Sequence, residues 1–464
     1  MKKHSLVFAL LFCFLCVSIT PAQATITIKS AGAYLEYDNE NVTRYLDEHP
    51  DISLVITNWN YFSTLELTTK LTTGTLEGDL YFLKSDVMDR EIIMRKGFCL
   101  DLSSSEILTS YLNDMYPYIV EQLTYDGCLY AWPTGITFSY MQIDEDLWKE
   151  AGLSGSDIPD TFSEFLDFIE QWCDHLENDD TCGYHIMGGM DGYEEMLKGN
   201  DGVYIDWLLK LLIEECITQQ QLAGEEKVQF DEENITSLIK RCVNIGRRIC
   251  QIEKQCCTEG KGFFTVASSS MEWPSSTDVV YLRINDQQPK VIKATLSMVL
   301  INPSTEYPEQ CIELLEAYAA NSWENANKPN DQFFLKKAQP RVKPGWEDDY
   351  KRDQSTLEDI QQQLEDDSLD EDSRVALEDK LAIYQEQLQW CETNKWVLSP
   401  DKLEDYKNNM GMIFFPTPTV LTDPDGNSQI YKLRQQVSDG AITVDQFIQR
   451  LCEISTMIQQ EEAN

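Results

Sequence analysis

The first part of the chain alternates short β-branched apolar runs with amphipathic segments of helical period. Residues 25–30, 52–57 and 79–83 form the apolar runs, and each has the length of a buried strand. Residues 39–48 and 63–73, which lie between these runs, have helical spacing. Strands that alternate with helices at this spacing predict βαβ units and a parallel sheet. The pattern therefore predicts an α/β fold.

A long extended segment and several longer helices follow. Residues 129–140 are predicted to be extended, with Pro133 and Gly135 inside the segment. Thr161 and Glu164 form a capping box, which predicts a helix from there to about residue 172. The other predicted elements are helices at 204–217, 235–255 and 308–323, strands at 279–284 and 294–301, and a last helix that begins at a second capping box, Thr443 with Gln446.

Residues 348–393 differ in composition from the rest of the chain, because Glu, Asp, Gln and Leu dominate there. Ser355 with Glu358 predicts a helix start, and apolar residues follow at helical spacing. A turn rich in Asp at 366–372 separates them from a second amphipathic helix. The seam residues of that helix are Leu377, Leu381, Tyr384 and Leu388. Two such helices predict an αα-hairpin, which could either dock a partner or form an acidic projection that packs only on itself.

The composition indicates a folded, acidic protein of more than one domain. The 464 residues are 42% hydrophobic and 11% aromatic, which is enough apolar mass for two or three domains. Acidic residues outnumber basic ones by 79 to 37, so the formal net charge is −42. A field of this sign repels phosphate backbones and anionic lipid surfaces. We therefore expect no nucleic-acid partner, and a ligand that is neutral, cationic or held by a local site.

The N-terminus has the layout of a secretory signal peptide. Lys2 and Lys3 form its basic start, residues 6–19 are apolar, and residues 22–24 read Ala-Gln-Ala, a small-x-small cleavage site. We expect cleavage after Ala24 and a secreted protein, located at the extracellular face of the membrane or in the periplasm. There is no clear lipobox, so a lipid anchor is not expected.

Export makes the cysteines candidates for disulfides. Two of the 14 cysteines lie in the leader, which leaves an even number, 12. Cys173 with Cys182, and Cys99 with Cys128, are close enough in sequence to close loops. All of these residues could instead be buried thiols, and the sequence does not decide between the two states.

Residues that commonly carry catalysis are sparse. Only three histidines follow the leader, and the chain has no H-E-x-x-H pair, G-x-S-x-G elbow or phosphate-binding glycine loop. Two of them, His175 and His185, lie near Cys173 and Cys182, but the spacing matches no closed zinc module. Among 79 carboxylates no glycosidase pair stands out. We expect no metal, no cofactor and no enzymatic activity, with glycoside cleavage as the enzymatic alternative.

Aromatic residues lie where an open α/β sheet would bind a ligand. Trp59 follows the second predicted strand, Trp132 lies in the extended segment, and Trp273 lies in a Ser-rich loop. Ligands of such sheets bind beyond the carboxyl ends of the strands. Aromatic rings there can stack on the apolar face of a pyranose while acidic and amide groups bind its hydroxyls. These positions are consistent with a carbohydrate site.

Four stretches resemble a known family. Residues 129–153 read LYAWPTGITFSYMQIDEDLWKEAGL, and residues 158–165 read IPDTFSEF. Residues 299–322 add a strand followed by a helix, and residues 439–447 add a C-terminal helix start. The matching positions within 299–322 are Pro303, Ser304, Pro308 and Glu309. Together they resemble the sugar-type extracellular solute-binding proteins of bacterial ABC importers, which include maltodextrin-binding protein, over most of the chain after the leader.

The resemblance implies a two-lobed periplasmic-binding-protein-like fold of type II, α/β in class, with the helical hairpin as an insertion. Chain crossings would join the lobes, which would close on a ligand held between them. The implied domains are a signal peptide at 1–24, lobe 1 at 25–134, lobe 2 at 135–293, a return to lobe 1 at 294–345, the acidic hairpin at 346–395, and C-terminal helices that complete lobe 2 at 396–464.

The resemblance also implies ligand-binding residues in the crossing segment, after the first strand and at the end of the third. In this chain they are Tyr34, Lys84, Trp132, Pro133, Thr134 and Tyr140. Trp59 and Trp273 are candidates from the aromatic argument alone.

The implied function is capture of a sugar or oligosaccharide by closure of the lobes, and delivery of this solute to the membrane subunits of an ABC permease. The protein is expected to act as a monomer. Two alternatives stay open. One is a peptide or cationic-solute binding protein, which the negative charge would suit. The other is an exported interaction scaffold that uses the hairpin.

Overall fold

A computed structural model gives the fold of most of the chain. It describes residues 26–31, 40–58, 64–176, 185–187, 202–225, 228–256, 262–269, 279–324, 335, 337, 339–366, 370–419, 421 and 428–462. The proposed leader lies outside the described residues, as do Tyr34, Trp59 and Trp273.

The chain divides into two compact units. Unit 1 is Met1–Thr134 with Ser297–Asn325, and unit 2 is Gly135–Leu296 with Ala326–Asn464. The chain thus passes from one unit to the other after residues 134, 296 and 325. The lobe boundaries that the family resemblance implies, after residues 134, 293 and 345, stay a prediction.

The secondary structure is mixed. The strands are β1 Ile26–Ala31, β2 Ile52–Asn58, β3 Leu80–Lys84, β4 Thr124–Tyr125, β5 Cys128–Leu129, β6 Trp132–Ile143, β7 His185–Met187, β8 Gly262–Ser269, β9 Val279–Val280, β10 Ile292–Ile301, β11 Arg341–Val342, β12 Trp396–Leu398 and β13 Ile413–Phe414. The helices are α1 Glu40–Glu48, α2 Thr64–Thr73, α3 Arg90–Arg95, α4 Glu106–Tyr111, α5 Pro117–Leu123, α6 Glu145–Glu150, α7 Phe162–Leu176, α8 Val203–Ala223, α9 Glu233–Cys256, α10 Pro308–Glu324, α11 Trp346–Leu364, α12 Glu371–Thr393, α13 Pro400–Asn409, α14 Gln429–Ser438 and α15 Val444–Glu462.

Unit 1 is built on the parallel sheet that the sequence predicts. Strand β1 lies in the middle and pairs in parallel with β2 on one side and β3 on the other. The last residues of β10 pair with β3 in the antiparallel sense, with Ser297 opposite Lys84. Helices α1 and α10 pack together, and the Tyr45 hydroxyl donates to Glu313 over 3.0 Å. The strand–helix alternation of the first residues is thus confirmed.

Unit 2 contains a large core of aromatic and aliphatic side chains. Strand β6 is antiparallel to β8 and β9, and β8 is parallel to β7. The buried ring of Phe264 on β8 lies 5.0 Å from Phe165 and 5.3 Å from Phe168 of α7, centroid to centroid. Phe165 and Phe264 are both fully buried. Burial of each such ring contributes on the order of 1.5–3 kcal/mol, so this cluster fixes α7 on the sheet.

Both capping boxes that flank apolar helices are present. The Glu164 backbone N–H donates to the Thr161 hydroxyl, and the Thr161 N–H donates to the Glu164 carboxylate over 3.1 Å. Thr443 and Gln446 exchange the same two bonds at the start of α15. Helix α7 therefore begins where the sequence predicts, but it continues to residue 176 rather than 172.

The αα-hairpin is present as helices α11 and α12, but its predicted start at Ser355 is wrong. Helix α11 already begins at Trp346, after Gly345, whose φ of +75° is the left-handed conformation that glycine adopts easily. The Trp346 indole N–H donates to the Cys391 carbonyl at the end of α12 over 2.8 Å. This contact between the two helix ends fixes the true start of α11, so Ser355 lies inside the helix.

One further expectation changes in the structure, and one question that the sequence left open is decided. The strand predicted at 279–284 is shorter in the structure, where β9 covers only Val279–Val280. The Arg283 side chain instead donates to the carbonyls of Asp286 and Gln288 in the loop that follows. Cys99 and Cys128 are both free thiols, so this pair forms no disulfide. Burial raises the pKa of Cys99 to about 12, which keeps the thiol protonated and unreactive. Cys182, the other candidate for pairing, lies outside the described residues.

Candidate functional site

A pocket of about 120 Å³ lies in unit 2, beside the middle of β6. It is lined by Tyr140 on β6, by Tyr281 and Arg283 after β9, and by residues of α8 and β10. Ligand pockets usually measure ~300–1,000 Å³. This pocket by itself can therefore enclose one part of a sugar or other small solute. We take it as the candidate site because Tyr140 is one of the ligand-binding residues that the sequence implies.

One wall of the pocket carries a buried ion pair. The ammonium group of Lys293 on β10 lies 3.3 Å from a carboxylate oxygen of Glu215 on α8, and the Glu215 side chain is only 11% exposed. Burial raises the pKa of Glu215, and the nearby Lys293 opposes that rise. On the same helix, Glu214 forms an exposed ion pair with Lys210 at 3.8 Å. The two carboxylates on this wall are thus each matched by an ammonium group.

A second wall of the pocket is formed by Arg283 and Tyr281. The Arg283 guanidinium group pairs with the Asp160 carboxylate, to which Lys290 also donates over 2.8 Å. The Lys290 ammonium group lies 4.9 Å from the centre of the Tyr281 ring, a cation–π geometry. Burial, together with the charge of Asp160, raises the pKa of Tyr281 to about 12, so its hydroxyl stays protonated at neutral pH. The wall thus offers a neutral hydroxyl and charges that are already paired.

The raised pKa of Glu215 makes stability depend on pH in a defined direction. Below its ordinary pKa of 4.5, Glu215 is protonated in both the folded and the unfolded chain. Above that value, the unfolded chain releases this proton first, so the contribution of Glu215 to the free energy of unfolding is lost as pH rises through the raised pKa. We expect wild type to lose stability relative to Glu215→Gln as pH rises from 4.5, in urea unfolding at a series of pH values.

A second variant should enlarge the pH-dependent loss of stability that Glu215→Gln removes. Lys293→Met removes the cation that opposes the rise, so the loss of stability with increasing pH should become larger than in wild type. Curves of wild type and Glu215→Gln that stay parallel over the whole pH range would contradict the assignment.

The other predicted site residues that the structure describes belong to unit 1 and do not line this pocket. Lys84 ends β3 opposite Ser297 and is half-buried. Trp132 begins β6 and is 0% exposed, with its ring 6.0 Å from that of Tyr111. Pro133 is buried and Thr134 is half-buried. A solute can reach the Trp132 ring only if the side chains around it move.

Two larger pockets fit the expected site less well. One of 650 Å³ in unit 1 lies between Asp79, just before β3, and Asn302, just after β10. It is therefore at the amino ends of the parallel strands, opposite the edge where such sheets bind ligands. Another, of 860 Å³, lies along α6 and α7 in unit 2. None of the described ligand-binding residues that the sequence implies lines it. Among its carboxylates, Glu164 caps α7 and Asp167 pairs with Arg241 at 2.6 Å.

Sequence reasoning missed most of the pocket lining. Glu215 lies on a helix whose buried residues are otherwise almost all apolar, and nothing in its spacing distinguishes it from a surface carboxylate. Tyr281 and Arg283 fall in the segment that was expected to be a strand. A possible signal was the placement of two basic residues, Arg283 and Lys293, on either side of a polar loop in an otherwise acidic chain.

Two features of other protein classes are absent from the described residues. No group of three or more His, Cys, Asp or Glu side chains in this part of the chain is arranged to hold a metal ion. None of the helices there combines the length and the apolar character that crossing a bilayer requires.

Comparison with known proteins gives a fold. No family model matches the sequence, and no curated protein matches it. A protein of Caldanaerobius polysaccharolyticus, solved in work on xylan utilization, superposes with a TM-score of 0.51 at 13% identity, over 95% of this chain and 100% of the other. A chitin oligosaccharide binding protein superposes with a TM-score of 0.52 at 12% identity, over 94% and 99%. The chain has the type II solute-binding-protein fold. The fold class and the family resemblance expected from the sequence are thus confirmed at the level of the fold.

Proposed function

We propose that the protein is an exported solute-binding protein that captures a neutral sugar or oligosaccharide and delivers it to an ABC permease. The observation that carries the proposal is the fold itself, shared over nearly the whole length of both chains with a chitin oligosaccharide binding protein. The stretches at 129–153 and 158–165 support the same assignment from the sequence alone.

The covalent connection of the two units suits a protein that closes on its ligand. Strand β6 contains the crossing after residue 134, and β10 contains the crossing after residue 296. In our proposal the two units move about these strands when a solute binds. The binding energy then has to offset the cost of ordering the two units around the solute. The permease subunits would recognise the closed form, and the receptor would act as a monomer that binds its solute without turnover.

The chemistry of the candidate site favours a neutral solute over a cationic one. Glu215 is matched by Lys293, and Asp160 by Arg283 and Lys290. A cation would have to break one of these pairs, which costs more than binding an uncharged hydroxyl. The ring of Tyr140 and the protonated hydroxyl of Tyr281 supply the stacking surface and the hydrogen-bond donor that a sugar needs.

The test is a thermal-shift screen of residues 25–464 against mono- and oligosaccharides, short peptides and organic cations. A ligand at 100 times its dissociation constant adds about 2.7 kcal/mol to the free energy of unfolding, which raises the midpoint temperature measurably. We expect a rise with one sugar series and no release of product from a chromogenic glycoside. A rise with peptides or cations alone, silence across the library, or turnover would each overturn the proposal.

Variants then locate the site. Tyr140→Ala should weaken the affinity for the sugar identified in the screen by about tenfold, because a stacked ring is lost. Tyr431→Ala is the matched control, since this ring lies on α14 of the same unit, is 37% exposed and lines none of the candidate site. Equal affinities of the two variants in isothermal titration would move the site away from β6.

A further inference from the structure

Helix α12 carries an apolar stripe on the face that turns away from its partner helix. Val375, Ile383 and Trp390 are 48%, 52% and 65% exposed. They are eight and seven residues apart, which places them on one face of an α-helix. The seam residues Leu377, Leu381, Tyr384 and Leu388 lie on the other face and are half-buried. We call Val375, Ile383 and Trp390 the outer stripe.

The outer stripe is interleaved with negative charge. Asp372, Asp379 and Glu386 are exposed and seven residues apart, and along the same face they alternate with the apolar positions. Of the two basic residues of this helix, Arg374 turns back and donates to the Leu364 carbonyl of α11, so it does not offset these carboxylates. Residues 346–393 as a whole contain 16 acidic and four basic residues.

The ring of Trp390 already contacts a cation. The Lys343 ammonium group lies 6.0 Å from its centre, and the side chain is nevertheless 65% exposed. An aromatic face beside carboxylates attracts Lys and Arg side chains through both its quadrupole and the local field. This is the chemistry of a surface that takes a basic partner.

Charge also decides between the possible occupants. A second copy of the chain would bring two acidic outer faces together, and like charges across an interface are unfavourable. An anionic membrane is disfavoured for the same reason. An amphipathic helix with cationic and apolar residues in alternation complements both features of the surface.

We propose that the outer stripe of α12 docks a cationic amphipathic segment of another protein. The three apolar side chains enter the apolar side of that segment, and Asp372, Asp379 and Glu386 meet its Lys or Arg residues. This surface is separate from the solute pocket on β6, and the proposal does not depend on which solute the protein binds.

The test measures binding of a labelled 18-residue peptide of lysine and leucine in amphipathic helical order to residues 25–464, by fluorescence anisotropy. Ile383→Ser with Trp390→Ser should weaken binding at least tenfold. This double variant keeps every charge, so the general attraction between a cationic peptide and an acidic protein is unchanged. Ile107→Ser is the matched control, because Ile107 is a similarly exposed apolar residue, 46% exposed, on α4 of unit 1. The affinity of this variant for the peptide should equal that of wild type.

Further measurements separate the other occupants. Asp379→Asn with Glu386→Gln should weaken binding and reduce its dependence on salt concentration. Equal affinity of wild type and the serine double variant, no binding at all, or equal binding of a glutamate–leucine peptide would each overturn the proposal. The proposal would also be overturned if wild type self-associated in sedimentation and the serine double variant did not, because the occupant would then be a second copy of the chain. Circular dichroism of each variant checks that the hairpin stays helical.

Discussion

Replacing Trp132 by alanine is expected to lower the free energy of unfolding by about 3–5 kcal/mol. The side chain is 0% exposed at the start of β6, and its ring packs edge-on against Tyr111 at 6.0 Å. Truncation removes a large buried apolar surface and leaves a cavity that the surrounding strand can close only in part. The measurement is urea unfolding, followed by circular dichroism so that the lost indole does not affect the signal.

The chain offers a matched control for this substitution. Trp390 is 65% exposed, so Trp390→Ala should change the free energy of unfolding by no more than about 0.5 kcal/mol. Equal urea midpoints for the two variants would contradict the burial of Trp132. Since Trp132→Ala is expected to destabilise the fold, a loss of sugar binding in this variant would not by itself identify a ligand contact. The affinity tests therefore use Tyr140, which is half-buried.

Trp132 also illustrates where sequence reasoning about the site stops. The motif at 129–153 placed this residue at a chain crossing, and β6 does cross from unit 1 to unit 2 there. The ring contacts Tyr111 on α4, a residue distant along the chain, and no local pattern encodes this contact. The implied ligand contact at Trp132 stays a prediction.

Helix starts show the same division between local and long-range information. The two boxes at Thr161 and Thr443 formed because all four hydrogen-bonding groups lie within one turn. Ser355 and Glu358 have the same spacing but lie inside α11, whose start is set by Trp346 and its contact with Cys391, 45 residues away. A capping box therefore predicts a helix start only where no tertiary contact extends the helix backwards.

Gly246→Ala is expected to destabilise the protein by about 2–3 kcal/mol, although alanine is the better helix former by roughly 1 kcal/mol. Gly246 lies where α9 crosses α8, and a β-carbon there would come within 2.8 Å of the backbone nitrogen and 2.9 Å of the Cα of Ile205. These are backbone atoms, so the overlap can be relieved only by separating the two helices.

Asn244→Ala, at an exposed position of the same helix, keeps the propensity gain without the overlap and should be neutral or slightly stabilising. If Gly246→Ala were as stable as Asn244→Ala in urea unfolding, α8 and α9 could not approach each other this closely. The opposite result would explain why a glycine stands in the middle of a 24-residue helix, because only hydrogen in place of a side chain lets the two helices of unit 2 touch through their backbones.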